Sequence, residues 1–238
     1  MMSLRVRSEE PELMDDLNCE GEVVDQTLRE LDVINRWLGG NYVTIDGVAR
    51  LLAQVDKGTP VSVADIGCGG GDMVQRLASW LRRQGRSFTV TGIDANPGIV
   101  RFAEATSPSR ENILFKVMDV MDPSFEQQRF DIIVATLFTH HFTRDQLIRL
   151  FKSLTRQTSI GFVINDIHRH ALAYHSIRIL THLFSRSPMV KYDAPLSVKR
   201  AFTRHELEDI LRNAGISRYT LSWKWAFRWQ LIVNTSTT

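Results

Sequence analysis

The chain has 238 residues, 43% of them hydrophobic and 24% charged, which suits one domain of about 200–250 residues. A formal net charge of +2 excludes the basic footprint of a nucleic-acid binder. With no apolar run approaching about 18 residues, no membrane span is expected, and two cysteines, Cys19 and Cys68, exclude a disulfide framework.

Residues 1–20 carry Arg5, Arg7, Glu9, Glu10, Pro11 and Glu12 and read as a loop or short arm over the body. They have no apolar core, so no secretory leader is expected, and the cysteine usage points to a reducing, cytoplasmic setting. Val23, Val24, Thr27, Leu28, Leu31, Ile34, Trp37 and Leu38 keep one helical face, which Gly39-Gly40 is expected to end. A second helix is predicted over 43–56, closed by Gly58-Thr59-Pro60.

The stretch Val61-Ser62-Val63-Ala64-Asp65-Ile66-Gly67-Cys68-Gly69-Gly70-Gly71-Asp72 follows. Its β-branched start fits a buried strand. Its glycines fit a turn that a ligand can approach closely. Met73, Val74, Leu77, Trp80 and Leu81 then recur at helical spacing. From here strand and helix alternate. Strands are predicted over 88–93, 113–118, 130–137 and 159–166, and helices begin at Asn96-Pro97 and near Leu147. This order gives a parallel sheet covered on both faces, with ligands at the carboxyl ends of its strands.

Residues 167–200 interrupt the alternation and read as a helical insertion followed by a loop containing Pro188 and Pro195. Thr203 and Glu206 form a capping box. The last stretch alternates Leu221, Trp223, Trp225, Phe227 and Trp229 with polar residues, a strand pattern read as two strands although no clear turn dipeptide separates them.

A glycine-rich strand-to-helix turn serves two cofactor classes. The dinucleotide fingerprint needs a third glycine where this chain has Asp72, a carboxylate that would repel a diphosphate. A nicotinamide oxidoreductase is therefore disfavoured. The segment instead resembles motif I of the class I S-adenosylmethionine methyltransferases, D/E-x-G-x-G-x-G, through Asp65, Gly67, Gly69 and Gly71. The likeness extends over about residues 20–235, toward bacterial small-molecule enzymes of the ubiquinone/menaquinone and phenol-modifying kind. It implies an α/β three-layer sandwich with seven strands, one of them antiparallel. Residues 1–60 would then be an arm and helices over the cofactor site, and 61–238 the S-adenosylmethionine-binding domain with a cap at 167–200.

The resemblance also suggests roles. Asp94, with Ala95 beside it, ends the second predicted strand, where a carboxylate can hold both ribose hydroxyls. Asp119 would face the adenine amino group, and Val120 would offer a backbone N–H to the ring. The main chain at Ala135 and Thr136 would accept the ammonium, and Leu137 would pack on adenine. Arg36 is the candidate cation for the methionine carboxylate.

Histidines supply candidate bases, because imidazole titrates near neutrality. His141 and His140 follow the fourth predicted strand, and His168 follows the fifth. His168-Arg169-His170 invites a metal reading, yet no cysteine or H-E-x-x-H accompanies it, so no metal is expected. The N-P-P-Y signature of nucleic-acid amino-methylating enzymes is absent. The expected reaction is O-methylation of a small, largely apolar acceptor, phenolic or quinol-like. C-methylation of an activated ring and a catalytically silent S-adenosylmethionine-binding protein are the alternatives. Monomer and homodimer both remain open.

Overall fold

The computed structural model describes residues 4–107 and 112–236. Seven strands form one sheet: β1 (Val61–Ile66), β2 (Phe88–Asp94), β3 (Ile113–Val117), β4 (Phe130–Thr136), β5 (Thr158–Ile167), β6 (Tyr219–Lys224) and β7 (Arg228–Asn234). Their order is β3-β2-β1-β4-β5-β7-β6, and β7 runs antiparallel to both neighbours. Consecutive parallel strands need helical crossovers. The chain order reverses between β1 and β4, which opens a crevice at their carboxyl ends.

The central strands are apolar on both faces, so helices must cover both. On one face Ile133, Phe162 and Leu231 pack with α5 (Arg144–Gln157) and α8 (Arg204–Asn213) through Leu147, Phe151, Leu207 and Leu211. On the other, Val63, Val90, Ile132 and Val134 pack with α2 (Gly40–Leu51) and α3 (Asp72–Arg83) through Val48, Val74, Leu77 and Leu81. A third small cluster joins α1 (Glu22–Trp37) to α4 (Pro97–Thr106) through Val24, Leu28 and Ile99.

Two expectations change. Gly39-Gly40 ends α1 as expected, with Gly39 at φ +71° just past the Leu38 cap, but the chain turns a corner there and α2 starts at Gly40 itself. A side chain at Gly40 would push aside Asn35 Oδ1 and the Arg228 guanidinium, whose mutual hydrogen bond the glycine leaves room for. The second helix accordingly starts and stops earlier than 43–56.

The insertion is two helices, α6 (Ala171–Phe184) and α7 (Pro188–Arg200), not a helix and a loop. Pro188 occupies the first helical position behind the Ser187 cap, where its missing N–H costs nothing. Pro195 lies inside α7, buried.

The tryptophan-rich stretch is a hairpin of β6 and β7 joined by residues 225–227. Phe227, at φ +55°, takes the left-handed position that a glycine would normally mark.

Candidate active site

The β1–α3 turn needs its glycines for two separate reasons. Gly67, Gly69 and Gly71 all sit at positive φ, +66°, +51° and +78°. Gly67 also lies against another element: a Cβ there would be 2.1 Å from the Phe138 ring. Gly71 caps α3 and packs toward Phe115 and Ala103.

The turn forms one wall of a cavity of about 810 Å³, within the range of sites that enclose a small molecule. Of the sequence candidates, Asp65, Gly67, Gly69, Asp94, Ala95, Asp119, Val120, Thr136, Leu137, His140 and His141 line it.

Asp94 is already organised. Its Oδ2 accepts the Gly69 N–H at 3.1 Å and its Oδ1 accepts the Asn96 N–H at 3.0 Å. Burial nevertheless raises its pKa above the usual carboxylate range. Asp119 is exposed at the rim and accepts the Met121 N–H. Asp65 is different in kind. It is 1% exposed, its Oδ1 has no hydrogen-bond partner, and burial with Asp72 and Asp94 nearby pushes its pKa well up. A buried carboxylate oxygen facing a cavity without a donor is matched to a cation that the protein itself does not supply.

At the end of β4, Leu137 takes φ +55°, a strained position for a branched residue, and its N–H is held by the Asn165 carbonyl at 2.8 Å. The chain then turns through Thr139, His140 and His141. His140 is buried, and its Nδ1–H donates to Asp166 Oδ1 at 2.7 Å. His141 is half-buried, and its Nδ1–H donates to Asp15 Oδ1 at 2.6 Å. Burial alone would raise both acids. The His140 ion pair, its hydrogen bond and the Thr139 hydroxyl outweigh that at Asp166. Bonds from His141 and Arg200 outweigh it at Asp15, so both carboxyls lie below the usual range. Glu12 lines the same wall, and burial raises its pKa to about 7.

Four candidates fall elsewhere. Arg36 points to solvent and does not line the cavity; it sits one residue beyond the buried Asn35, about 100° further round α1. His168 lies outside the cavity, against Trp229 and His170, because β5 runs on to Ile167 and pairs His168 with Phe202. Ala135 is buried within the sheet, and Gly71 shapes the turn from behind.

Sequence reading missed Glu12 and Asp15, both in the arm taken as a loop, and also Arg228. This arginine is buried at the start of β7 and lines the cavity. Its Nη2 donates to Asn35 Oδ1 at 2.8 Å, its Nε has no partner, and burial lowers its pKa to about 10, so it stays charged at neutral pH. The sequence signal was an arginine three residues before the apolar run Leu231-Ile232-Val233.

The sheet order, the glycine turn and the acid ending β2 together define the class I methyltransferase fold. Residues 63–161 match the family model described as a methyltransferase domain. Aklanonic acid methyltransferase DauC of Streptomyces sp. (strain C5) is 38% identical over 101 residues, covering 42% of this chain and 44% of that protein. Nocamycin O-methyltransferase of Saccharothrix syringae is 34% identical over 90 residues, covering 37% and 31%. The alignments thus span less than half the length of these curated relatives.

Among solved structures, the plantazolicin methyltransferase BpumL in complex with SAH superposes with a TM-score of 0.67 at 16% identity, covering 90% of this chain and 95% of that one. Human N-acetylserotonin methyltransferase in complex with SAM gives 0.60 at 15% identity, covering 90% and 56%. No helix among the described residues is long and apolar enough to cross a membrane.

Proposed function

We propose that this chain transfers a methyl group from S-adenosylmethionine to an oxygen of a small, largely apolar acceptor. One observation carries the reading: the orphaned, buried Asp65 carboxylate opens onto a cavity that also holds the Asp94 carboxylate and two histidines. The residues fit this cofactor. Asp65 offers an acceptor for its ammonium, and Asp94 retains lone pairs for ribose hydroxyls. Val120 and Leu137 give apolar walls, and Asp119, at the rim, offers a carboxylate suited to the adenine amino group. A diphosphate would meet Asp65, Asp72 and Asp94 and be repelled.

Arg228, rather than Arg36, is the cation suited to the methionine carboxylate, since a desolvated guanidinium with a free N–H is a strong carboxylate donor. Arg228→Met is therefore expected to lower cofactor affinity by roughly 10–100-fold, the worth of a charge-assisted bond of about 1.5–3 kcal/mol. Arg36→Ala is expected to leave it within about twofold. Isothermal calorimetry with S-adenosylmethionine and with S-adenosylhomocysteine measures both.

When bound, the cofactor supplies a methyl group on a positively charged sulfur. The protein's part is to exclude water, to align the acceptor and to manage the hydroxyl proton. The α6 side of the cavity, with Ala173, Ile177 and Leu180, together with Phe227, suits an apolar acceptor. His141, oriented by Asp15, is the side chain suited to take the proton. His141→Ala is expected to cut turnover by about 10²-fold or more while cofactor affinity stays within about threefold. Chromatography of a phenol and quinol panel incubated with S-adenosylmethionine reads this out. Cofactor binding with no methylated product across the panel would favour a silent binding protein, and lack of cofactor binding would overturn the reading.

A further inference from the structure

Glu12, His140 and His141 come from opposite ends of the domain to one point. His140 and His141 lie on the turn after β4, and Glu12 on the N-terminal arm. One ring nitrogen of each histidine and one Glu12 oxygen lie within 4.8 Å of one another, and all three residues line the cavity. His140 Nε2 and Glu12 Oε1 are 3.6 Å apart. Tetrahedral bonds of about 2.0–2.1 Å set ligand atoms roughly 3.3 Å apart, so the His140–Glu12 pair is already near ligand spacing and the remaining pairs, within 4.8 Å, close by at most about 1.5 Å through side-chain rotation.

The second observation is the state of the Glu12 side chain. It is 4% exposed, its Oε2 accepts the Ser197 hydroxyl at 2.9 Å, and its Oε1 has no hydrogen-bond partner. The nearest cation, Arg200 Nε, is 3.8 Å from that oxygen and donates instead to the His140 carbonyl. A buried carboxylate oxygen is thus left facing two imidazoles.

The surroundings follow the pattern of a metal centre. Each histidine has its Nδ1 held by a carboxylate, Asp166 for His140 and Asp15 for His141, which leaves Nε2 as the free nitrogen on each ring. Carboxylates behind ligating histidines fix ring orientation and strengthen the ligand. Charge also argues for a cation. Glu12, Asp15, Asp166 and Asp193 are the acids around the histidines, and Arg7 and Arg200 are the bases packed against them. Arg169 is already committed to Glu206.

We propose that Glu12, His140 and His141 bind a single divalent transition ion, of the zinc class, with an open position toward the cavity. Two histidines and a carboxylate form a donor set used where a fourth position is kept for water or substrate. Magnesium and calcium, which prefer oxygen, are poorly served by it. With the ion in place His141 is a ligand and no longer the base: the open position takes an oxygen of the acceptor, and the ion, in place of the imidazole, favours loss of its proton by lowering the pKa of any hydroxyl bound there. That favours an acceptor with a hydroxyl or enolised carbonyl over one offering only carbon or nitrogen. The role of the ion rests on the methyl-transfer reading; its binding does not.

The test uses full-length, untagged protein stripped with a chelator and titrated with Co²⁺ and Zn²⁺. One equivalent of Co²⁺ is expected to give the visible spectrum of a four-coordinate ion, and Zn²⁺ to displace it. His141→Ala, at a half-exposed position that tolerates truncation, is expected to weaken binding at least 100-fold, and Glu12→Gln likewise. His205→Ala, exposed on α8 away from the cavity, should leave it unchanged. Wild-type protein that takes up no stoichiometric ion overturns the proposal, as does binding that His141→Ala leaves intact. Calorimetry with S-adenosylmethionine on the stripped protein separates the two readings. Cofactor heat without ion uptake removes the metal alone, and ion uptake without cofactor heat removes the cofactor alone.

Discussion

Asp65→Asn is expected to weaken S-adenosylmethionine binding by roughly 30–150-fold while raising the melting temperature of the unliganded protein. The two effects share one cause. Asp65 is fully buried at the tip of β1, and Oδ1 has no donor. Burial first, and then Asp72 and Asp94, raise its pKa well above the carboxylate range. A buried charge without a partner destabilises the fold. The same charge meeting a bound ammonium contributes about 2–3 kcal/mol, the loss expected when one member of a buried pair is removed. Asn keeps the shape and loses the charge.

The sign with pH follows. In the window between the unfolded carboxyl value near 4 and the raised folded value, the native state holds a proton that the unfolded state has released. Wild-type stability therefore falls as pH rises through this window. In Asp65→Asn this component vanishes, so the gain in melting temperature should grow with pH. Thermal denaturation at several pH values, with and without cofactor, measures it. A variant that binds S-adenosylmethionine as tightly as wild type would remove Asp65 from the site.

The parts legible in sequence were those fixed by local patterning. β1, β2, β4 and β5 announce themselves because central strands must be apolar on both faces, the exposed edge strand β3 only through its own apolar residues, and the turn after β1 because several closely spaced glycines have no cheaper explanation. Asp94 followed from the same logic, since the acid ending β2 lies beside the turn whatever the helices do. Long-range pairing was illegible. Glu12 and Asp15 reach the histidines across more than a hundred residues of sequence, and nothing local distinguishes them from other acids in the arm. Arg36 and Arg228 show the cost. Spacing on α1 cannot tell which side the corner at Gly39-Gly40 will bury, and that corner turns Arg36 outward while bringing Asn35 onto Arg228. His168 lies outside the cavity for a related reason. The one-residue extension of β5 beyond Asp166, held by pairing with β7, carries it past the cavity mouth.

Gly67→Ala provides the sharpest separation of backbone strain from steric fit. At φ +66° an alanine pays the left-handed penalty, about 1–2 kcal/mol. It also places a Cβ 2.1 Å from the Phe138 ring and 2.3 Å from its Cγ, near the root of the side chain, so the ring cannot simply swing clear. Overpacking of this kind costs typically a further 1–3 kcal/mol, for a total of about 2–5 kcal/mol. Gly85, at φ +69° with nothing within 4 Å of a built Cβ, carries the strain without the clash, and Gly85→Ala should cost only the first part. The difference between the two variants isolates the contact with Phe138. It should shrink in a Phe138→Ala background, where Gly67→Ala is expected to fall toward the Gly85→Ala value, as denaturant unfolding in a double-mutant cycle would show. Because Phe138 and Gly67 both border the cavity, Gly67→Ala should also lose S-adenosylmethionine binding even at temperatures where it remains folded. Equal losses of stability in Gly67→Ala and Gly85→Ala would mean that the ring yields freely and that only the turn's handedness, not its closeness to β4, demands glycine there.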